Sequence, residues 1–131
     1  MNSFSTKKWD EHLASGEEGG PRVAYVHAEM AYSGVIEGAS SADYLLYYPG
    51  EGTDGGAHTS PGYDRFEATV DGRRGTFVVR HEWTFDAKGI GSKFEVVTGS
   101  GTGELAGLTG TGTTHGALGE PDVSYTFDYT L

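Results

Sequence analysis

Apolar and polar residues alternate with a period of two along most of this chain, and that period predicts β-strands. The clearest run is Thr76 to Phe85, where Phe77, Val79, His81, Trp83 and Phe85 share one face and Thr76, Val78, Arg80, Glu82 and Thr84 the other. The first face is read as inward, because successive strand residues point to opposite sides of a sheet. The C-terminus repeats the pattern, with Val123, Tyr125, Phe127, Tyr129 and Leu131 set against Ser124, Thr126, Asp128 and Thr130. Phe66, Ala68 and Val70 alternate with Arg65, Glu67 and Thr69, and Phe94 and Val96 point in from Ser92 to Val97. In the first half, Arg22 to Tyr32 presents Ala24, Val26, Ala28, Met30 and Tyr32. Ile36 to Tyr48 presents Ile36, Gly38, Ser40, Ala42, Tyr44, Leu46 and Tyr48. Ser3 to His12 gives a first strand with Trp9 inward. No long stretch has the 3.6-residue helical period, and glycine interrupts nearly every candidate.

Turn chemistry joins these runs into hairpins. Asp71-Gly72 is a strong two-residue hairpin signal, and Ser33-Gly34 and Lys88-Gly89 punctuate in the same way. Pro21, Pro49, Pro61 and Pro121 are all expected between strands, where a missing N–H breaks no ladder. Ser15 to Gly20 reads as a short acidic loop and Pro49 to Gly62 as a long glycine-rich one. Gly99 to Gly116 reads as a strand or turn pair around Leu105 and Leu108. Seven or eight strands in an open sheet would leave two long edges exposed, and closing an up-and-down barrel removes them. The expectation is one all-β domain over residues 1–131, a closed antiparallel eight-stranded barrel. Such a barrel encloses room for its own side chains or one small ligand.

Composition narrows the function. Glycine is 22 of 131 residues, which fits tight turns between short strands; the recurring aromatic runs argue against disorder. A net charge of -10 repels phosphate backbones and anionic lipid, so neither nucleic acid nor a membrane surface is an expected partner. With no cysteine, no disulfide, thiolate nucleophile or cysteine zinc site can form. No run approaches a membrane span and the first residues hold no apolar core of a leader, so a cytoplasmic location is expected.

His81 is the leading candidate for chemistry, an imidazole in the middle of an apolar inward face. It reads either as a hydrogen-bonded core histidine or as a proton-transfer group. Glu11 shares parity with Trp9. If inward it would need partners, with His81 and Tyr44 the natural ones; otherwise it faces water. Tyr44, Tyr48, Tyr125 and Tyr129 are all expected inward, which implies either a cavity with polar handles or hydroxyls reaching the barrel mouths. His27 and Glu29 share a face, but no third metal ligand is evident and no metal or other cofactor is expected. His12, His58 and His115 fall in or near loops without consistent spacing. Ser40 has no nucleophile elbow, and the glycine string Gly99 to Gly112 lacks the Lys-Ser/Thr ending and following helix of a phosphate loop.

Three stretches resemble a bacterial family of unassigned function. They are Gly34-Val35-Ile36-Glu37-Gly38 with Ser40 and Tyr44-Leu45-Leu46, then Gly75-Thr76-Phe77-Val78-Val79 with His81, and most specifically Gly99-Ser100-Gly101-Thr102-Gly103-Glu104-Leu105-Ala106-Gly107-Leu108-Thr109-Gly110. With Trp9-Asp10-Glu11 and Tyr125 to Leu131, the likeness covers nearly the whole chain. The family is DUF3224, grouped with allene-oxide-cyclase-like β-barrels, so the resemblance implies an eight-stranded barrel but no activity. Glu82-Trp83 and the long Pro49 to Gly62 stretch depart from the usual family pattern. Two functions are compatible with the residues. One is a cyclase or isomerase in which His81, Glu11 and Tyr44 handle a proton on a small hydrophobic substrate. The other is a non-catalytic carrier or structural barrel. Trp9, Ser40, Phe77, Trp83, Phe94, Tyr125 and Phe127 are the expected ligand contacts, and the protein is expected as a monomer or homodimer.

Overall fold

The structure is a computed structural model that describes residues 2–48, 59–86, 89–117 and 122–131. Eight antiparallel strands follow in chain order: β1 (Ser3–Gly16), β2 (Arg22–Ser33), β3 (Ile36–Tyr48), β4 (Thr59–Val70), β5 (Arg73–Asp86), β6 (Gly89–Val96), β7 (Thr109–Ala117) and β8 (Asp122–Thr130). Each pairs with its sequence neighbours, and β1 pairs with β8 to close the barrel. The predicted alternation holds along β2 and β3, whose inward residues from Ala24 to Tyr32 and from Ser40 to Leu46 are buried. Asp71 and Gly72 take the positive φ values, 48° and 82°, that the tight β4–β5 hairpin demands.

One end of the barrel is plugged. After β6 the chain runs alongside β5, Thr102 N–H bonding Thr76 C=O and Val97 N–H bonding Val78 C=O. It then makes a 3₁₀ turn (Gly103–Leu105) that drives Leu105 and Leu108 into full burial. Gly75 is required beneath it, because a β-carbon there would overlap the Thr102 carbonyl oxygen. The stretch expected as a strand or turn pair is therefore a plug followed by β7. Behind the plug, Phe66 and Phe77 stack at 4.6 Å, which completes a filled lower core.

β1 pairs with β2 over its whole length and, among the described residues, with β8 at Ser3, Phe4 and Ser5. Tyr125 reinforces this closing seam: its hydroxyl accepts the Ile36 N–H at 2.9 Å and donates to the Ser33 carbonyl at 2.9 Å. Asn2 adds two bonds, from Tyr125 N–H to its carbonyl and from Val35 N–H to its side chain. Phe4 stacks on Tyr32 at 4.7 Å just inside.

Three expectations about boundaries are corrected. β1 runs past His12 to Gly16, so Ser15 and Gly16 belong to a strand. β4 begins at Thr59, not Arg65, and absorbs the end of the expected Pro49 to Gly62 loop. Pro61 therefore lies within a strand. It is tolerated because the β3–β4 ladder ends at Tyr44 opposite Gly62, leaving position 61 paired only on its β5 side. Pro49, His58, Pro121 and the side chain of Phe85 lie outside the described residues.

Tyr125→Phe should lower the unfolding free energy by about 1–3 kcal/mol, since it strands a buried N–H and a carbonyl. Tyr63→Phe, on the exposed outer face, should change it by less than about 0.5 kcal/mol. Chemical denaturation of both variants checks this, and equal stability would remove Tyr125 from the seam.

Candidate functional site

The inner faces of β3, β4 and β5 bring a carboxylate, an imidazole and a phenol together inside the barrel. Going round the wall, Tyr44 on β3 stands opposite Gly62 on β4, which stands opposite His81 on β5. Gly62 is what allows the approach: a β-carbon there would collide with the Tyr44 ring. Two residues along β4, Asp64 is completely buried and accepts two hydrogen bonds on the same oxygen. Tyr44 donates one, and His81 Nδ1 makes the other at 3.0 Å. With Nδ1–H committed to Asp64, a neutral His81 ring presents Nε2 as an acceptor. Trp83 stacks on His81 at 4.9 Å and meets the Tyr44 ring edge-on at 6.1 Å.

Burial and then the Asp64 charge push the Tyr44 hydroxyl well above its ordinary value of 10.0, while the nearby Trp83 indole opposes the rise. Tyr44 is thereby held as a hydrogen-bond donor. Tyr32 is pushed well up in the same sense, first by burial and then by Asp64.

Among the described residues, four buried polar atoms of this cluster make no hydrogen bond of ordinary geometry: Ser60 Oγ, Asp64 Oδ2, His81 Nε2 and Trp83 Nε1, the last close enough to the Tyr44 hydroxyl to act on it. They belong to two adjacent strands, with Ser60 directly opposite Trp83. Leaving one such group unsatisfied costs about 1–3 kcal/mol, so four together rival the roughly 5–15 kcal/mol by which a whole domain is stable. Beside them lies a cavity of about 50 Å³ lined by Phe4, Thr6, Trp9, Met30, Tyr44, Ser60, Trp83, Ile90 and Val123. Seven of the eight strands thus contribute to it. It sits at the end away from the plug. A larger hollow of about 440 Å³ lies over β5 to β8, walled mostly by outward side chains such as Arg80, Glu82, Lys93 and Glu95. Among the described residues, no group of three His, Asp or Glu is arranged to hold a metal ion.

Residues 1–129 match the family whose description is "Protein of unknown function (DUF3224)". The chain belongs to that family. A crystal structure of a DUF3224 protein of unknown function from Shewanella oneidensis MR-1 is similar over 100% of this chain and 98% of that one, at 24% identity and a TM-score of 0.72. At that identity the likeness is one of fold. No curated protein matches.

The DUF3224 barrel places the expected site residues unevenly. His81 and Tyr44 come together on Asp64, while Glu11 follows the second of its two readings and faces water. Its parity is as predicted, since it lies opposite Val26, which lies opposite Tyr44. Its height is wrong. Position 11 is six residues past Ser5, the last residue of β1 paired to β8 among the described residues, which is about 20 Å of strand. Glu11 is exposed at the open end, where it accepts bonds from Trp9 Nε1 at 3.1 Å and from Tyr48 at 2.7 Å. Burial and this carboxylate push Tyr48 up to about 12. The carboxylate inside the barrel is instead Asp64, which sequence reading missed. The signal was available: Phe66, Ala68 and Val70 continue backwards to Asp64, but Pro61 and Gly62 made that stretch look like loop.

Trp9, 46% exposed, and Trp83, 4% exposed, both line the cavity. Phe94 packs against His81 and Phe127, and a β-carbon on Gly112 would strike its ring. Ser40 is buried and reaches only the Met30 sulfur, at 3.7 Å. Phe77 belongs to the plugged end, and Tyr125 is occupied by the seam.

Two outcomes test this geometry. Asp64→Ala should destabilise the fold by about 3–5 kcal/mol, because it leaves imidazole and phenol buried without their shared acceptor. Raised tyrosine values also set an alkaline limit. The folded chain keeps phenol protons that the unfolded chain loses near 10.0, so stability is full below that pH and falls as pH rises above it. Tyr44→Phe should be less stable than wild type at pH 7 yet lose less between pH 10 and 12, as read from guanidinium midpoints. Parallel curves for the two proteins would count against the buried phenol.

Proposed function

We propose that this protein binds a small molecule in its upper lumen and moves a proton on it through Tyr44, Asp64 and His81, the work of a cyclase or isomerase. The observation that carries the reading is the gathering of four unpartnered buried polar atoms beside an otherwise apolar cavity. A core selected for stability alone would fill these positions with apolar side chains, which commonly match or exceed a buried polar network in stability.

Each residue has a role. Phe4, Met30, Ile90 and Val123 hold an apolar body, while Ser60 and Trp83 offer hydrogen bonds at its polar end. Tyr44 both lines the cavity and bonds Asp64, so it links the ligand to the buried pair. Tyr44 gives its proton to one atom of the substrate and the resulting phenolate takes a proton back from another, while Asp64 and His81 hold the phenol in place. The reaction is redox-neutral and leaves composition unchanged. Pockets for drug-sized ligands span roughly 300–1,000 Å³. At about 50 Å³ the cavity admits only a small ligand unless Trp9 at the rim moves aside.

A second reading, a carrier without chemistry, is favoured by one observation. Asp64 and His81 do not themselves line the cavity.

Incubating the protein with a metabolite extract, followed by chromatography coupled to mass spectrometry, separates the two. An enzyme should convert one compound into an isomer of equal mass, and Asp64→Asn or Tyr44→Phe should slow this at least 100-fold. A carrier should retain one compound unchanged in all three proteins. In the Trp9→Phe variant Trp83 is the sole tryptophan, and its fluorescence should shift as either ligand seats. No conversion, no retained compound and no shift would refute lumen binding altogether.

A further inference from the structure

The walls of the upper lumen are negative in two independent ways. The first is Asp64, completely buried on β4. Among the described residues it forms no ion pair with a lysine or arginine; its basic neighbour is His81, with Nδ1 at 3.0 Å. A neutral imidazole supplies a hydrogen bond but no charge. A buried carboxylate without a balancing cation is expensive, and its field is only weakly damped inside a protein.

The second is aromatic. Phe4, Trp9, Tyr44 and Trp83 are four of the nine residues that line the cavity. Phe4 and Tyr44 meet Trp83 edge-on, at 6.2 and 6.1 Å, with interplanar angles of 73° and 78°. Rings set at steep angles make the sides of a box, and the face of each carries the negative part of its quadrupole. Aromatic boxes hold alkylammonium ions by cation–π attraction, which is strongest when the cation is desolvated.

We infer that the ligand of the lumen is a small alkylammonium ion, seated among Phe4, Tyr44 and Trp83 with the Asp64 carboxylate behind them. This deepens the lumen binding proposed above and rests on it. Tyr44 lines the cavity and donates to Asp64, so the carboxylate stands one hydrogen bond behind the wall and acts without touching the ligand. Ser60 lines the same cavity, and its unpartnered Oγ can accept an N–H. An ammonium group brings donors only, which suits the acceptors left open on Ser60, Asp64 and a neutral His81. A carboxylate or phosphate would add negative charge to a site already negative. Size agrees: about 50 Å³ is room for an ammonium head with a few carbons, where a single water needs about 10–15 Å³.

Isobutylammonium, isobutanol and isobutyrate share one branched skeleton and differ in charge, which makes them the probes. Each is titrated at pH 7 and constant ionic strength, up to about 50 mM because ligands of this size bind weakly. The two indole N–H signals are followed by NMR, and Trp9→Phe assigns that of Trp83. Isobutylammonium should move the Trp83 signal with a dissociation constant at least tenfold below that of isobutanol, and isobutyrate should leave it in place. Asp64→Asn keeps an acceptor oxygen and loses the charge. It should weaken isobutylammonium at least tenfold and isobutanol less than threefold, with folding checked by circular dichroism. The wild-type comparison carries the test if that variant does not fold. Isobutanol binding as tightly as isobutylammonium would overturn the charge assignment and leave lumen binding standing. That is the result expected if an imidazolium at His81, stacked on Trp83 at 4.9 Å, already balances Asp64 from inside. Equal loss of both probes in folded Asp64→Asn would overturn it too. Failure of all three probes to move Trp83 would also overturn the ammonium assignment, and the metabolite extract then decides lumen binding separately.

Discussion

Closing an eight-stranded sheet is the constraint around which this molecule is organised. Among the described residues, Ser3, Phe4 and Ser5 join the first strand to the last, and β1 above them is exposed. Tyr125 reinforces this seam from the last strand, bonding the turn between the second and third. Above it, Trp9 and Glu11 lie exposed at the rim.

The two ends of the barrel therefore differ in kind. At one end the chain folds Leu105 and Leu108 over stacked phenylalanines, and hydroxyl and backbone bonds to β5 hold them there. At the other, aromatic packing gives way to a carboxylate shared by a phenol and an imidazole, with further donors and acceptors left open. A closed floor at one end and a buried polar cluster toward the other leave a small cavity between aromatic walls. Its depth is set by the plug and its chemistry by β3, β4 and β5.

Much of this was legible from alternation. The inward faces of β2, β3, β5 and β8 follow from parity alone, and parity put His81 and Trp83 side by side in the interior. Parity carries no information about height, however. Strands in a barrel are tilted, so a row of in-register residues climbs as it goes round. Glu11, Val26, Tyr44, Gly62 and His81 lie along one such row, and its first member is exposed. Asp64 was hidden for another reason. Proline and glycine normally mark loops, but in β4 the proline sits on an unpaired side and the glycine makes space for a ring. The plug was unreadable because glycine-rich sequence fits turns and strands alike.

β7 has glycine at positions 110, 112 and 116, and neighbouring side chains crowd the space above each: Tyr129, Phe94 and Val123. A glycine-studded segment has little strand preference of its own. Its order is borrowed from β6 and β8, whose side chains occupy the volume it leaves vacant. The strand in the middle of this trio is thus the one least able to hold its place without both flanking strands, and a loss of packing at Phe94 or Val123 would be felt first in β7.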